Sequence, residues 1–156
     1  MATFYLIRHG KPDYTYGDTH GFIGQGHDFA PLKQDRIKEV IETSKDVRLK
    51  NAQIIVASPY TRALQTASII SKETGLEIVV EPDIREWQPD LTYQYKNSDE
   101  MKGYYKEYIE NRVMSVIEKY KEKYDTVIVV AHKMAFQSIC DCGDMKPAEI
   151  FETTFK

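Results

Sequence analysis

Arg8-His9-Gly10 follows directly on the β-branched and aromatic run Thr3-Phe4-Tyr5-Leu6-Ile7. A strand that ends this way delivers a guanidinium and an imidazole to the carboxyl edge of a sheet, where open α/β sheets bind ligands. The imidazole can serve as a nucleophile or proton carrier near neutral pH, and the arginine beside it can fork onto an oxyanion. Gly10 reads as a position where a ligand approaches the backbone closely. Similar groups recur downstream. Arg62 lies one helical turn past Ile54-Ile55-Val56-Ala57, Glu86 lies beyond Leu76–Val80, and His132 directly follows Thr126–Ala131. Strand ends of one sense share an edge in a parallel sheet, so these groups can converge from distant parts of the chain. Two arginines and two histidines meeting one carboxylate suit a phosphoryl group. Arg8 and Arg62 would fork onto its oxygens, Arg62 from the first turn of a helix whose free N–H groups also favour anions.

The elements that must position these groups alternate along the chain. Thr3–Ile7 predicts a first strand, and the glycines between Gly17 and Pro31 predict a long loop. Ile37, Val40, Ile41 and Ser44 line one face of a helix expected from Lys33 to Asp46. Ile54–Ala57 reads as a buried strand, with Ser58 as N-cap and Pro59 as first residue of the next helix. Ala63, Leu64, Ala67 and Ile70 form that helix's inner stripe, and Gly75 is placed to stop it. Leu76–Val80 predicts a third strand, and the segment from Asp83 to Asn97 is irregular. Apolar residues from Met101 to Tyr124 recur at three- and four-residue steps, predicting a long amphipathic helix capped by Asn97 or Ser98. Thr126–Ala131, the most β-branched run, belongs at the centre of the sheet. A helix over Met134–Ile139 and an edge strand over Ile150–Phe155 complete the pattern. The implied architecture is a three-layer α/β/α sandwich with a mainly parallel sheet, formed by residues 1–156 as one domain.

Composition narrows the function class. The formal net charge of −3 lacks the footprint of a nucleic-acid binder, and no apolar stretch is long enough to span a bilayer. A strand begins at the amino terminus with no signal-peptide pattern, so the expected compartment is the cytoplasm. Cys140 and Cys142 are too close for an ordinary disulfide and are expected as reduced thiols; no Cys/His quartet has metal-site spacing.

Leu6-Ile7-Arg8-His9-Gly10, the stretch from Ala57-Ser58-Pro59 through Arg62-Ala63-Leu64-Gln65-Thr66-Ala67, Arg85-Glu86 and Val129-Val130-Ala131-His132 resemble, in order, the histidine phosphatase superfamily. The likeness is to a compact, phosphatase-type member of its phosphoglycerate-mutase-like branch. The resemblance implies that fold and metal-independent hydrolysis of phosphomonoesters, with no cofactor. It makes His9 the nucleophile that becomes phosphohistidine, and Glu86 the general acid and base. Arg8, Arg62 and a protonated His132 would hold the phosphate, with Gly10 beside it. The substrate would be a phosphorylated small molecule or phosphoprotein, rimmed by Asp13, Tyr14, His20, Gln25 and Tyr93, with Trp87 as wall or lid. Oligomeric state stays open. Lys133 stands where the family usually has glycine, and Lys33 and Arg36 also depart from its pattern. Two alternatives follow: mutase-type phosphotransfer, or a pseudoenzyme that Lys133 and Arg36 have turned into a binder of phosphorylated ligands.

Overall fold

The computed structural model describes residues 1–20, 24–86 and 109–156. Five strands, β1 (Ala2–Arg8), β2 (Ile54–Ala57), β3 (Ile78–Val80), β4 (Thr126–Ala131) and β5 (Ile150–Phe155), form one sheet in the order β3-β2-β4-β1-β5. β2 pairs in parallel with β3 and β4, and β1 in parallel with β4, while β5 runs antiparallel along β1 at the edge. β4 holds the centre, as its β-branched composition predicts.

Alternation along the strands separates two cores. Phe4, Leu6, Val56, Val127 and Val129 face a cluster that includes Val113, Val116, Ile117 and Tyr120. These last four lie on a helix spanning Glu110–Lys121, labelled α4 below. Tyr5, Ile7, Ile55, Ile128 and Val130 face the opposite side, against Ala63, Ala67 and Ile70. That side is covered by α3 (Thr61–Thr74). Each fully buried large aliphatic side chain contributes about 1.5–3 kcal/mol, so the layers are held mainly by this two-sided burial. Two shorter helices, α1 (Thr15–His20) and α2 (Ile37–Ser44), precede β2, and α5 (Lys133–Gln137) follows β4. Among the described residues, no helix is long and apolar enough to cross a membrane.

Several boundaries differ from the sequence expectation for local reasons. The Gly17–Pro31 segment is not simply a loop. It carries the end of α1, whose first amide at Thr15 donates to Asp13 Oδ1, and a 3-10 turn over Gly24–Phe29. The helix expected over Lys33–Asp46 is split, beginning as a 3-10 turn over Gln34–Arg36 before α2. Asp46 ends it by accepting from Arg48 N at the start of the next turn. Ser58 does not cap α3; Tyr60 is the N-cap residue and Thr61 the first helical one. Ser58 N instead donates to Val130 O, continuing the β2–β4 ladder. Gly75 stops α3 as expected, at φ 74°, and β3 starts at Ile78, two residues after Leu76, whose carbonyl accepts from Ser71 Oγ. The expected Met134–Ile139 helix runs instead from Lys133 to Gln137. The Met101–Tyr108 part of the long helix, its proposed caps and Trp87 lie outside the described residues.

Candidate active site

Sheet register brings the reactive residues together. Arg8 pairs with Ala131 across β1–β4, and Ala57 pairs with Val130 across β2–β4. The carboxyl ends of these strands are therefore level, and the next residues, His9, Ser58 and His132, emerge side by side. The His9 and His132 ring centroids lie 5.1 Å apart. Arg62 enters from the first turn of α3, and Glu86 Oε2 lies 3.8 Å from His132 Nδ1. All five residues expected to do chemistry meet here: the fields of Arg62 and Arg8 act on both imidazoles, and Glu86 faces the second of them.

The strand end is braced from three sides. His9 N donates to Ala131 O, and Gly10 N donates to Thr66 Oγ1 at 2.9 Å. Thr66 Oγ1 in turn donates to Arg62 O at 2.8 Å, so one buried hydroxyl couples β1 to the arginine-bearing turn. Ala148, at the unusual φ of 66°, donates its amide to Arg8 O, and its carbonyl accepts from Thr43 Oγ1. Left-handed backbone at a non-glycine residue costs roughly 1 kcal/mol and persists where surrounding bonds over-determine it. Gly10 has a packing reason for lacking a side chain. A Cβ there would sit 2.6 Å from Val40 Cγ2 of α2.

His9 is 4% exposed, and its Nδ1 donates to Gly10 O at 2.7 Å. That bond leaves Nε2 with its lone pair. Burial first, then the charge of Arg62, hold the ring's pKa down at about 3, so the imidazole is neutral across the physiological range. His132 is fully buried and also shifted well below 6.5, by burial and then by His9 and Arg62. Both shifts favour the neutral ring, whereas the sequence reading expected a protonated His132 on the phosphate.

Arg8 Nη1 donates to Met145 O at 2.8 Å, and Arg62 Nη1 reaches Asp28 Oδ1 at 3.3 Å. Arg8 Nε, Arg62 Nε and His132 Nδ1 are buried without a hydrogen-bond partner among the described residues. Unmade bonds of this kind cost about 1–3 kcal/mol each. They are retained most readily where an incoming acceptor will complete them. The arrangement is a cationic cup with spare donors and one unprotonated ring nitrogen, able to hold a tetrahedral oxyanion while a nucleophile attacks it. Among the described residues, no group of three or more His, Cys, Asp or Glu side chains gathers as it would to hold a metal ion.

The other sequence candidates divide. Tyr14 stacks on His27 at 4.7 Å, and its hydroxyl pKa is raised by burial while feeling Arg62 and Glu86, so it lies at the site. Asp13 caps α1, and His20 is exposed beside Thr19. Tyr93 and the Gln25 side chain lie outside the described residues. Two of the departures from the family pattern are engaged by neighbouring carboxylates. Lys133 Nζ is bound to Asp144 Oδ1 at 2.8 Å, and Arg36 is paired with Glu39. Three residues of the site were missed in the sequence: Ser58, Thr66 and Asp28. Ser58 and Thr66 stand inside the quoted motif, Ser58 expected as a helix N-cap and Thr66 with no role of its own. No local signal marked Asp28.

Residues 4–111 match the profile of the histidine phosphatase superfamily (branch 1). The uncharacterized phosphatase PhoE of Bacillus subtilis strain 168 is 27% identical over 150 residues, covering 89% of this chain and 76% of that protein. The "Probable phosphoglycerate mutase GpmB" of Photorhabdus laumondii is 30% identical over 86 residues, 55% of this chain. That match spans only 38% of the GpmB protein's length. Mycobacterial glucosyl-3-phosphoglycerate phosphatase shares the fold with a TM-score of 0.73 at 16% identity, over 97% of this chain and 89% of that one. YhfR of Bacillus stearothermophilus does so at 0.65 and 20%, over 88% and 77%.

Proposed function

The chain belongs to branch 1 of the histidine phosphatase superfamily, and from that premise we propose that it hydrolyses phosphomonoesters through a phosphohistidine on His9. The bond from His9 Nδ1 to Gly10 O carries the reading, because it presents a neutral Nε2 lone pair in the field of two arginines. Nε2 attacks phosphorus in line as the P–O bond to the leaving group breaks. Arg8 and Arg62 hold the equatorial oxygens, and preorganised charge of this kind is where phosphoryl-transfer catalysis mainly comes from. Glu86 gives its proton to the departing oxygen. It then takes a proton from the water that cleaves the N–P bond, releasing phosphate and restoring both side chains.

Hydrolysis is favoured over mutase-type transfer because the PhoE likeness runs through 76% of that protein and the GpmB likeness through 38%. The pseudoenzyme alternative loses its motive, since Lys133 and Arg36 are bound to their own carboxylates. The test is to mix the protein with a panel of phosphomonoesters and quench during turnover. Acid-labile phosphate is expected on His9, and His9→Ala is expected to abolish both the label and phosphate release. Release undiminished in His9→Ala overturns the reading; isomerase activity that needs a bisphosphorylated primer replaces it with the mutase.

A further inference from the structure

Ser58 is fully buried, and its hydroxyl lies 2.8 Å from Nε2 of the fully buried His132. Two proton arrangements are possible across that contact. If Nε2–H donated to the serine, the Ser58 hydroxyl proton would need another acceptor. Among the described residues there is none: the other contact of Ser58 Oγ is the amide of Tyr60, itself a donor, at 3.4 Å. If the serine donates to Nε2, its oxygen accepts from the Tyr60 amide and every proton at Ser58 is used. The neutral ring then carries its proton on Nδ1. That atom faces Glu86 Oε2 at 3.8 Å and has no hydrogen-bond partner among the described residues. Before Glu86 takes up the proton it later donates, its carboxylate favours a proton on the near nitrogen, so both ends of the ring agree.

Resting on the phosphatase reading above, we propose that Ser58 is a positioning residue that locks His132 as its Nδ1–H tautomer, so that a neutral imidazole donates to the phosphoryl oxygens. The two histidines then have opposite duties built in by their partners. The Gly10 carbonyl leaves His9 a lone pair on Nε2, and the Ser58 hydroxyl leaves His132 a proton on Nδ1. Substrate binding needs no imidazolium, which suits a ring surrounded by His9 and Arg8 at the end of β1, Arg62 on α3 and Arg112 on α4, with Glu86 the opposing charge.

Heteronuclear NMR of 15N-histidine-labelled protein, free of substrate at neutral pH, reads the tautomer without any activity. A protonated Nδ1 and an unprotonated Nε2 on His132 are expected, and the reverse assignment overturns the proposal. In Ser58→Ala the lock is gone, and the proton distributes toward Nε2. An imidazole in the wrong tautomer costs up to about 10⁴ in kcat; a partial loss of about ten- to a hundredfold is expected, with KM changing less. Imidazolium carries Nδ1–H whatever its partner, so the variant's residual activity shifts toward acid pH, and Ser58→Thr, which keeps a hydroxyl, restores the wild-type profile. A Ser58→Ala protein with unchanged kcat and pH profile overturns the proposal. Should Ser58→Ala fail to fold, the wild-type spectrum decides. The Nδ1–H tautomer in a protein that forms no phospho-His9 would sink the phosphatase reading and leave the tautomer assignment standing.

Discussion

Arginines at the cup and arginines on the surface are the same residue in opposite states. Arg48 donates from Nε and Nη2 to both oxygens of Asp46, and Arg36 closes on Glu39 in the same forked way. Their donors facing those carboxylates are used, and the side chains are otherwise exposed to solvent. Among the described residues, Arg8 and Arg62 each make one Nη1 hydrogen bond, and both leave a buried Nε–H without a partner. A surface fork completed by its own neighbour has little left to offer a ligand. A buried fork held at one corner keeps its shape and retains donors to give. The contrast explains how a chain with a net charge of −3 can still build a local anion site: what matters is which cations are left open.

Breaking the open side should have the larger effect. Arg62→Ala is expected to lower kcat by about 10²–10³, the range for removing one preorganised donor to developing negative charge. Steady-state phosphate release measures it, and a loss under threefold would mean that Arg62 is not among the groups holding the phosphoryl oxygens. Arg62 also shows what the sequence can and cannot reveal. Its place one turn into the helix after β2 could be read from the motif. Its buried partner Asp28 could not, because that contact joins residues 34 apart across two elements whose packing no local pattern encodes.

The pH dependence of stability sharpens the contrast at intermediate size. His9 titrates near 6.5 in the unfolded chain and at about 3 in the fold, and burial lowers His132 in the same direction. Below about pH 6.5 the unfolded state takes up protons that the folded site refuses, so stability is fully present above 6.5 and declines as pH falls toward 3. Denaturant midpoints measured between pH 7 and pH 4 should fall, and His9→Asn should flatten that slope. An unchanged slope would show that the ring is not held neutral by its surroundings.

The closed side should barely respond. Arg36→Ala and Lys133→Ala break exposed or half-exposed pairs, which are worth about 0–1 kcal/mol. Both variants should release phosphate within twofold of wild type and melt close to it. A large activity change in Lys133→Ala would mean that the Asp144 pair opens during turnover and that the lysine reaches the site after all.

Much of the scaffold could be read from one dimension. β2 and β4 have the bounds their apolar runs predict, and Gly75 stops α3 because a left-handed turn was needed there. The chain's own pattern thus determined a mostly parallel sheet and the order in which Arg8, His9, Arg62, Glu86 and His132 reach its edge. Those are consequences of side-chain period and backbone propensity, which act between near neighbours. Only the folded structure decided that Ser58 serves His132 instead of a helix end, that Thr66 ties Gly10 to Arg62, and that Lys133 turns to Asp144. Each is a choice of hydrogen-bond partner, and partners in a folded chain are selected by register and burial, which exist only after distant strands have paired.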